Sequence, residues 1–306
     1  MINKQSNVYT IVYITVMVIV VGAVLAFTSM ALKERQQENA QADKKSQILQ
    51  AVHIPTSRAS VIADFEKYIT GQIVVNDKGE QVEGEDAFTV DVAAQAKLPA
   101  SERLLPVYVC DLPEAGIKYI LPLSGMGLWG PIWGYVAFDA DGSTVYGAFF
   151  DHQGETPGLG AEITKPAFTG QFPGRKVFKG ENFYPIDVVK AGQKPLNPDI
   201  DYVDGISGGT ITSKGVAAMF DNCLSPYRAW LEKIGKSSRT DMGAIHMSAE
   251  NGADIPAMRQ LTPADTLAAD GTNRLDIRAT ISDVERAAAD AEAEADRTIA
   301  KKAGAL

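Results

Sequence analysis

Asp204-Gly205-Ile206-Ser207-Gly208-Gly209-Thr210-Ile211-Thr212-Ser213 opens the strongest helical pattern beyond the first fifty residues of the chain. Val216, Met219, Phe220, Cys223, Leu224, Trp230 and Leu231 follow at helical spacing and predict a helix over Thr212–Ile234, kinked or broken at Pro226. Hydroxyl and glycine residues at the start of such a helix supply free N–H groups and a positive dipole end, the usual surroundings of a phosphate. Plain N-capping by Thr210 or Thr212 would use the same residues. The order Gly-Lys-Ser/Thr of a nucleotide-binding P-loop is missing, and the glycine spacing is not that of a dinucleotide fingerprint.

Upstream, Trp133–Asp139 and Thr144–Asp151 flank Ala140-Asp141-Gly142-Ser143 and read as a β-hairpin. Each end of this hairpin adjoins a glycine-rich stretch. Gly125-Met126-Gly127-Leu128-Trp129-Gly130 precedes it, where backbone can approach a ligand closely and Trp129 or Trp133 can stack on a planar ring; a turn beside core tryptophans is the plainer alternative. His152-Gln153-Gly154-Glu155-Thr156-Pro157-Gly158-Leu159-Gly160 follows it, either a binding loop or an ordinary Pro-Gly connector. Further strand-like runs occupy Gln72–Val75, Pro106–Cys110 and Ile117–Leu121, and Val61, Ile62, Phe65 and Ile69 give 58–70 a helical period. Helices and strands mix without regular βαβ alternation, which predicts an α+β domain over 51–236.

No charged residue occurs from Val8 to Leu32. As a helix rising about 1.5 Å per residue, 8–32 spans roughly 37 Å, enough to cross a ~30 Å hydrocarbon core with some tilt. The run exceeds the apolar segment of a secretory signal, so an uncleaved single-pass anchor is expected behind the short tail 1–7. Residues 33–50 are polar and charged and read as a helical stalk that Pro55 ends. Lys4 precedes the anchor, whereas Lys33, Arg35, Lys44 and Lys45 follow it, and this count alone would keep the following domain cytoplasmic. Residues 237–306 contain no aromatic side chain and are rich in Ala and charge, which predicts an extension without a core of its own.

The 306 residues carry 29 basic and 38 acidic side chains, a formal net charge of -9, which disfavours general nucleic-acid binding. Two cysteines, Cys110 and Cys223, and three scattered histidines give neither a disulfide framework nor a metal cluster. No catalytic acid, base or metal site is expected.

The three glycine-rich clusters, in this order behind one anchor, resemble the C subunit of the sodium-translocating NADH:quinone oxidoreductase and, more distantly, the related G subunit of the Rnf electron-transport complex. The resemblance covers about 8–236. The family's flavin-attachment motif, Asp-x-x-Ser/Thr-Gly-Ala-Thr, stands here as Asp204-Gly205-Ile206-Ser207-Gly208-Gly209-Thr210, with Gly209 in place of Ala. Glu155-Thr156-Pro157-Gly158-Leu159-Gly160 matches the family stretch beside the flavin, and Gly127-Leu128-Trp129, Gly134-Tyr135 and Phe172-Pro173-Gly174-Arg175-Lys176 resemble the sodium-pump protein more than the Rnf one.

The resemblance implies FMN bound covalently by its phosphate to Thr210, beside Ser207, Gly208 and Gly209. It places Glu155, Thr156, Gly158, Leu159 and Gly160 along the flavin, with Leu128 and Trp129 on the opposing loop. It also implies a flavin transferase for maturation and the other subunits of a six-subunit inner-membrane complex as partners. In that complex electrons pass from NADH toward ubiquinone, coupled to Na+ export, with the soluble domain periplasmic. An Rnf-type subunit, or an anchored flavin-binding module without redox turnover, are the other readings.

Overall fold

The computed structural model describes residues 7–238. The expected extension therefore lies almost wholly outside the described residues, as does Lys4.

One continuous helix, α1 (Asn7–Gln50), contains both the uncharged run and the expected stalk. The stalk is thus an extension of the anchor helix, without a break between them. The helix stops at Gln50, ahead of Pro55, because Ile48, Leu49, Ala51 and Val52 turn into the domain core and are buried. After α2 (Val61–Tyr68), the strands β1 (Ile69–Val75), β2 (Leu105–Leu112), β3 (Gly116–Met126), β4 (Pro131–Asp139) and β5 (Val145–His152) form an antiparallel sheet in sequence order. Single helical turns α3 (Val92–Gln95) and α4 (Pro166–Thr169) punctuate the connections. Two small pairs follow: β6 (Phe178–Lys179) with β7 (Asn182–Phe183), and β8 (Asp187–Val189) parallel to β9 (Tyr202–Asp204). Then comes α5 (Thr210–Leu224), which passes through a 3-10 turn at Ser225–Tyr227 into helical residues 228–238. Pro226 sits in that turn, where the missing N–H of proline is tolerated. The mixture is α+β behind one apolar helix.

Both faces of the five-stranded sheet are covered. On β4, Val136 and Phe138 join the core shared with α5, while Tyr135 and Ala137 join the core shared with α1 and α2. Leu121 and Leu123 against Ile120, and Leu105 and Val107 against Tyr108 and Cys110, divide in the same alternation. A strand buried on both faces has no polar side, which is why these runs are apolar throughout. Phe150, Phe168, Phe172 and Phe220 pack with ring centroids 5.1–5.9 Å apart beneath α5. The hairpin between β4 and β5 forms as expected, with the Asp141 carboxylate accepting from the N–H groups of Ser143 and Thr144 at 2.8 Å. Ile69, read as the end of a helix, instead pairs with Cys110 as the first residue of β1.

Candidate functional site

The end of β3 climbs α5 one helical turn at a time. The Cys223 thiol donates to the Ser124 carbonyl (3.3 Å), and a Cβ on Gly125 would lie 2.8 Å from that of Met219. One turn higher, Gly215 lies directly against the Met126 carbonyl. This ladder delivers the loop 127–130 to the N-terminal end of α5. Burial raises the Cys223 thiol above its ordinary pKa and pushes Cys110 up to about 12, so both are inert packing residues.

The second loop arrives from β5. The Glu155 N–H donates to His152 Nδ1 (3.1 Å), which turns the chain under the hairpin and buries the Glu155 side chain to 5% exposure. Glu155 Oε1 accepts from the Trp129 N–H (2.9 Å) and Oε2 accepts from the Thr212 hydroxyl (2.7 Å). One carboxylate thus ties together all three glycine-rich clusters. The glycines beside it are dictated by its oxygens: a Cβ on Gly127 would strike Oε1, and one on Gly160 would strike Oε2 and the Thr212 hydroxyl.

The third element is held by the β8–β9 pair. Gly205 N–H donates to the Val189 carbonyl (2.6 Å), Asp204 N–H donates to Gln171 Oε1 (2.8 Å), and Ile206 N–H donates to the Ser213 hydroxyl (2.9 Å). A turn follows, closed by Gly209 N–H to the Ile206 carbonyl (3.0 Å), with Gly208 at φ +78° in its third position. A Cβ on Gly208 would also lie 2.6 Å from Leu159 Cδ2. Gly208→Ala is therefore expected to cost about 1–2 kcal/mol from the left-handed backbone alone, read as a lower denaturation midpoint. Gly209, at φ -104°, admits a side chain conformationally; its Cβ would sit 3.1 Å from Ile206 Cγ2 and 3.3 Å from the Leu159 carbonyl carbon. Gly209→Ala should need only small shifts and leave the midpoint nearly unchanged.

Gly209 is also the N-cap of α5 and makes no side-chain cap; neither Thr210 nor Thr212 serves that role. Thr210 is exposed at the first helical position, and its hydroxyl has no hydrogen-bond partner among the described residues. Thr212 is buried against Glu155. Ser207 and Gly208 are exposed beside Thr210. Leu159, Leu128 and Trp129 present exposed apolar surface near the meeting point, with Trp129 at 69% exposure. Thr156 and Gly158 lie at the outer side of the second loop, and nothing stands within 4 Å of a Cβ on Gly158.

Two features escaped the sequence reading. Trp133 is half-buried and its indole N–H donates to Gln47 Oε1 on the anchor helix (3.1 Å). A cavity of about 520 Å³ opens on the other side of Thr210, lined by Ser207, Gly208, Thr210, Asp187 and the lysines Lys190, Lys194 and Lys214. Lys190 and Lys194 share the connection after β8 while Lys214 lies on α5, and no spacing rule links the two segments. Among the described residues, no three metal-ligating side chains converge.

An FMN-binding domain family matches residues 127–225, the span that holds all three loops. Over 219 residues the chain is 35% identical to the C subunit of the Na(+)-translocating NADH-quinone reductase of Vibrio vulnificus, covering 66% of this chain and 85% of the relative. The chain belongs to this C-subunit family. The family member from Haemophilus ducreyi is 32% identical over 250 residues, covering 74% of this chain and 95% of the relative. The solved structure of the Parabacteroides distasonis member is 46% identical, with a TM-score of 0.60 over 65% of this chain and 96% of its own. The NqrC structure from Shewanella oneidensis, at 24% identity and a TM-score of 0.53, shares the fold over 64% of this chain and 98% of its own. With the family comes an FMN-binding domain, and the residues present suit FMN. Glycines whose Cβ positions are filled by neighbours bring three loops together, with a hydroxyl that is unpartnered among the described residues at the start of α5 and exposed apolar side chains on the other two loops.

Proposed function

We propose that this chain is the electron-carrying C subunit of a Na+-translocating NADH:quinone reductase, holding FMN through a phosphoester on Thr210. The observation that carries the reading is the placement of Thr210: exposed, unpartnered among the described residues, and at the first helical position of α5, two residues before the Thr212 that Glu155 ties to the other loops. Bound FMN supplies the redox chemistry through its isoalloxazine ring. The chain supplies placement. The start of α5 and the cavity lysines Lys190, Lys194 and Lys214 favour an anionic ester at Thr210. Leu128, Trp129 and Leu159 offer the apolar surface that a flavin ring needs.

A threonine hydroxyl is a weak nucleophile, and no base hydrogen-bonds Thr210 among the described residues. Attachment therefore calls for a separate flavin transferase. With FAD as donor, the Thr210 oxygen bonds to the flavin-side phosphorus and the pyrophosphate bond breaks. AMP leaves with the bridging oxygen, and the hydroxyl proton is released.

The long uncharged half of α1 anchors the chain in the membrane. We place the flavin domain on the periplasmic side, as the family resemblance implies; the count of Lys33, Arg35, Lys44 and Lys45 carries little weight against it, because long domains translocate largely regardless of flanking charge. The partners are the remaining subunits of the complex, six in all.

The test is spectroscopic. In the complex purified from native membranes, NADH should bleach the visible flavin absorbance assigned to this subunit, and quinone should restore it. A complex that turns over while this flavin stays unchanged would contradict the assignment. A truncation after Lys236 should still receive flavin, since every loop of the site precedes it. A colourless but well-expressed truncation would place the remaining residues in the flavin fold.

A further inference from the structure

The parallel strands β8 and β9 end side by side, and each runs into the same kind of turn. After β8 the Gln193 N–H donates to the Lys190 carbonyl (2.9 Å), with Gly192 at φ +78° in the third position. After β9 the turn Ile206–Gly209 repeats this geometry, with Gly208 also at φ +78°. The two are tied at their base, where the Gly192 N–H donates to Asp204 Oδ1 (3.4 Å) and the Gly205 N–H donates to the Val189 carbonyl. Lys190 opens the first turn and Lys194 follows it. The cavity beside Thr210 is walled by these two turns and by α5.

On α5 the wall is formed by Thr210, Lys214 and Ala217, spaced along one face of the helix. Lys214 is therefore one helical turn from Thr210 on the same side. Lys190, Lys194 and Lys214 are exposed, and among the described residues none of their ammonium groups makes a hydrogen bond or an ion pair. By contrast, Lys118, Lys179 and Lys236 are ion-paired, and Lys233 donates to the Gly79 carbonyl. Asp187 is the carboxylate that lines the cavity with the three lysines, and its Oδ1 accepts the Val188 N–H (2.7 Å). An excess of unpaired cations thus gathers beside Thr210 in a chain whose net charge is -9.

The neighbouring face of α5 is different in kind. Cys223, Met219 and Gly215 meet the end of β3 turn by turn, and the next residue in that row is Ile211. Ile211 is 57% exposed, like Leu128 and Trp129 of the loop that follows β3. Apolar surface of this kind suits a ring and disfavours a phosphate, whose charge must be paired or hydrated. One step along the helix, from Thr210 to Ile211, separates the two environments.

We propose that the cavity is the seat of the ester phosphate and that Lys214 is its positioning residue, with Lys190 and Lys194 closing the seat from the opposite side. The proposal rests on the reading of Thr210 as the flavin site. A phosphodiester carries a single negative charge at neutral pH, and lysines act on it as point cations. Arginine can therefore replace Lys214, whereas a neutral side chain of similar length cannot.

The test is phosphorus NMR of the flavin-loaded full chain in a phosphorus-free detergent, at low salt, during addition of Mn2+. Mn2+ broadens the ester line to the extent that it can approach the phosphate. Lys214→Gln should raise the broadening per added Mn2+ about threefold, and the Lys190→Gln, Lys214→Gln pair should raise it further, because each change removes a cation that repels the metal. Lys214→Arg should match the parent. So should Lys97→Gln, an exposed lysine beside Ala96, whose carbonyl is bound by Asn222 near the opposite end of α5. Flavin content and denaturation midpoint should stay at the parent values throughout. Unchanged broadening in Lys214→Gln would overturn the seat, as would an equal rise in Lys97→Gln. A Lys214→Gln chain that takes up no flavin would overturn it too, because the lysine would then serve the transferase and not the ester. The Thr210 reading fails separately, through an ester line that persists in Thr210→Val or is absent from the parent chain.

Discussion

Replacing Thr210 with Val is expected to abolish in-gel flavin fluorescence of the denatured chain completely, while the protein still folds and assembles. Valine keeps the β-branched shape and removes only the hydroxyl. The position is exposed and the hydroxyl makes no hydrogen bond among the described residues, so stability should change by less than about 0.5 kcal/mol. The nearest rival nucleophile is Thr212, one of the two residues that the sequence alone offered as caps. Its hydroxyl is buried and donates to Glu155 at 2.7 Å, which withdraws it from a modifying enzyme. Fluorescence that persists in Thr210→Val would remove the attachment from this residue and leave Ser207 as the exposed hydroxyl beside it.

Glu155→Ala should be the most damaging change that leaves Thr210 intact. Truncation leaves the Trp129 N–H and the Thr212 hydroxyl without their acceptor and opens a void between the loops and the start of α5. Hydrogen bonds to a charged group contribute about 1.5–3 kcal/mol each, so a loss of about 3 kcal/mol or more is expected. It should appear as a lower denaturation midpoint together with reduced flavin loading. Glu155→Gln separates hydrogen bonding from charge. The amide oxygen accepts from Trp129, and the amide nitrogen donates to Thr212, whose hydroxyl accepts as readily as it donates. Flavin loading in Glu155→Gln should stay near that of the parent. Equal damage in both variants would mean that the negative charge, rather than the clamp, is what the site requires.

The sheet was legible because its strands carry their own punctuation. Asp141-Gly142 marks one hairpin, and the apolar runs on either side have the length of strands. The start of α5 was legible for the same reason, as glycines and hydroxyls just ahead of a helical period. Sequence alone could not show that Glu155 joins the three clusters. Its partners, Trp129 and Thr212, lie far from it along the chain, and one of them contributes only a backbone N–H, which every residue but proline has. The fusion of anchor and stalk was hidden in a similar way. Residues 33–50 look like a solvated linker, yet Ile48 and Leu49 are core residues, and Gln47 reads as an ordinary surface amide until Trp133 and Asp151 stand on either side of it. Lys214 of α5 joins Lys190 and Lys194 of the β8–β9 connection only where α5 packs on β8, a tertiary contact that no local pattern announces.

The claim on which the rest depends is that FMN is esterified to Thr210. Mass spectrometry of the intact chain from its native host, followed by fragmentation of the peptide that contains Asp204–Ser213, tests it most directly. The expected result is a chain heavier than its sequence by one FMN less one water, with the added mass mapping to Thr210. A chain of unmodified mass, with its flavin released on denaturation, would contradict the account.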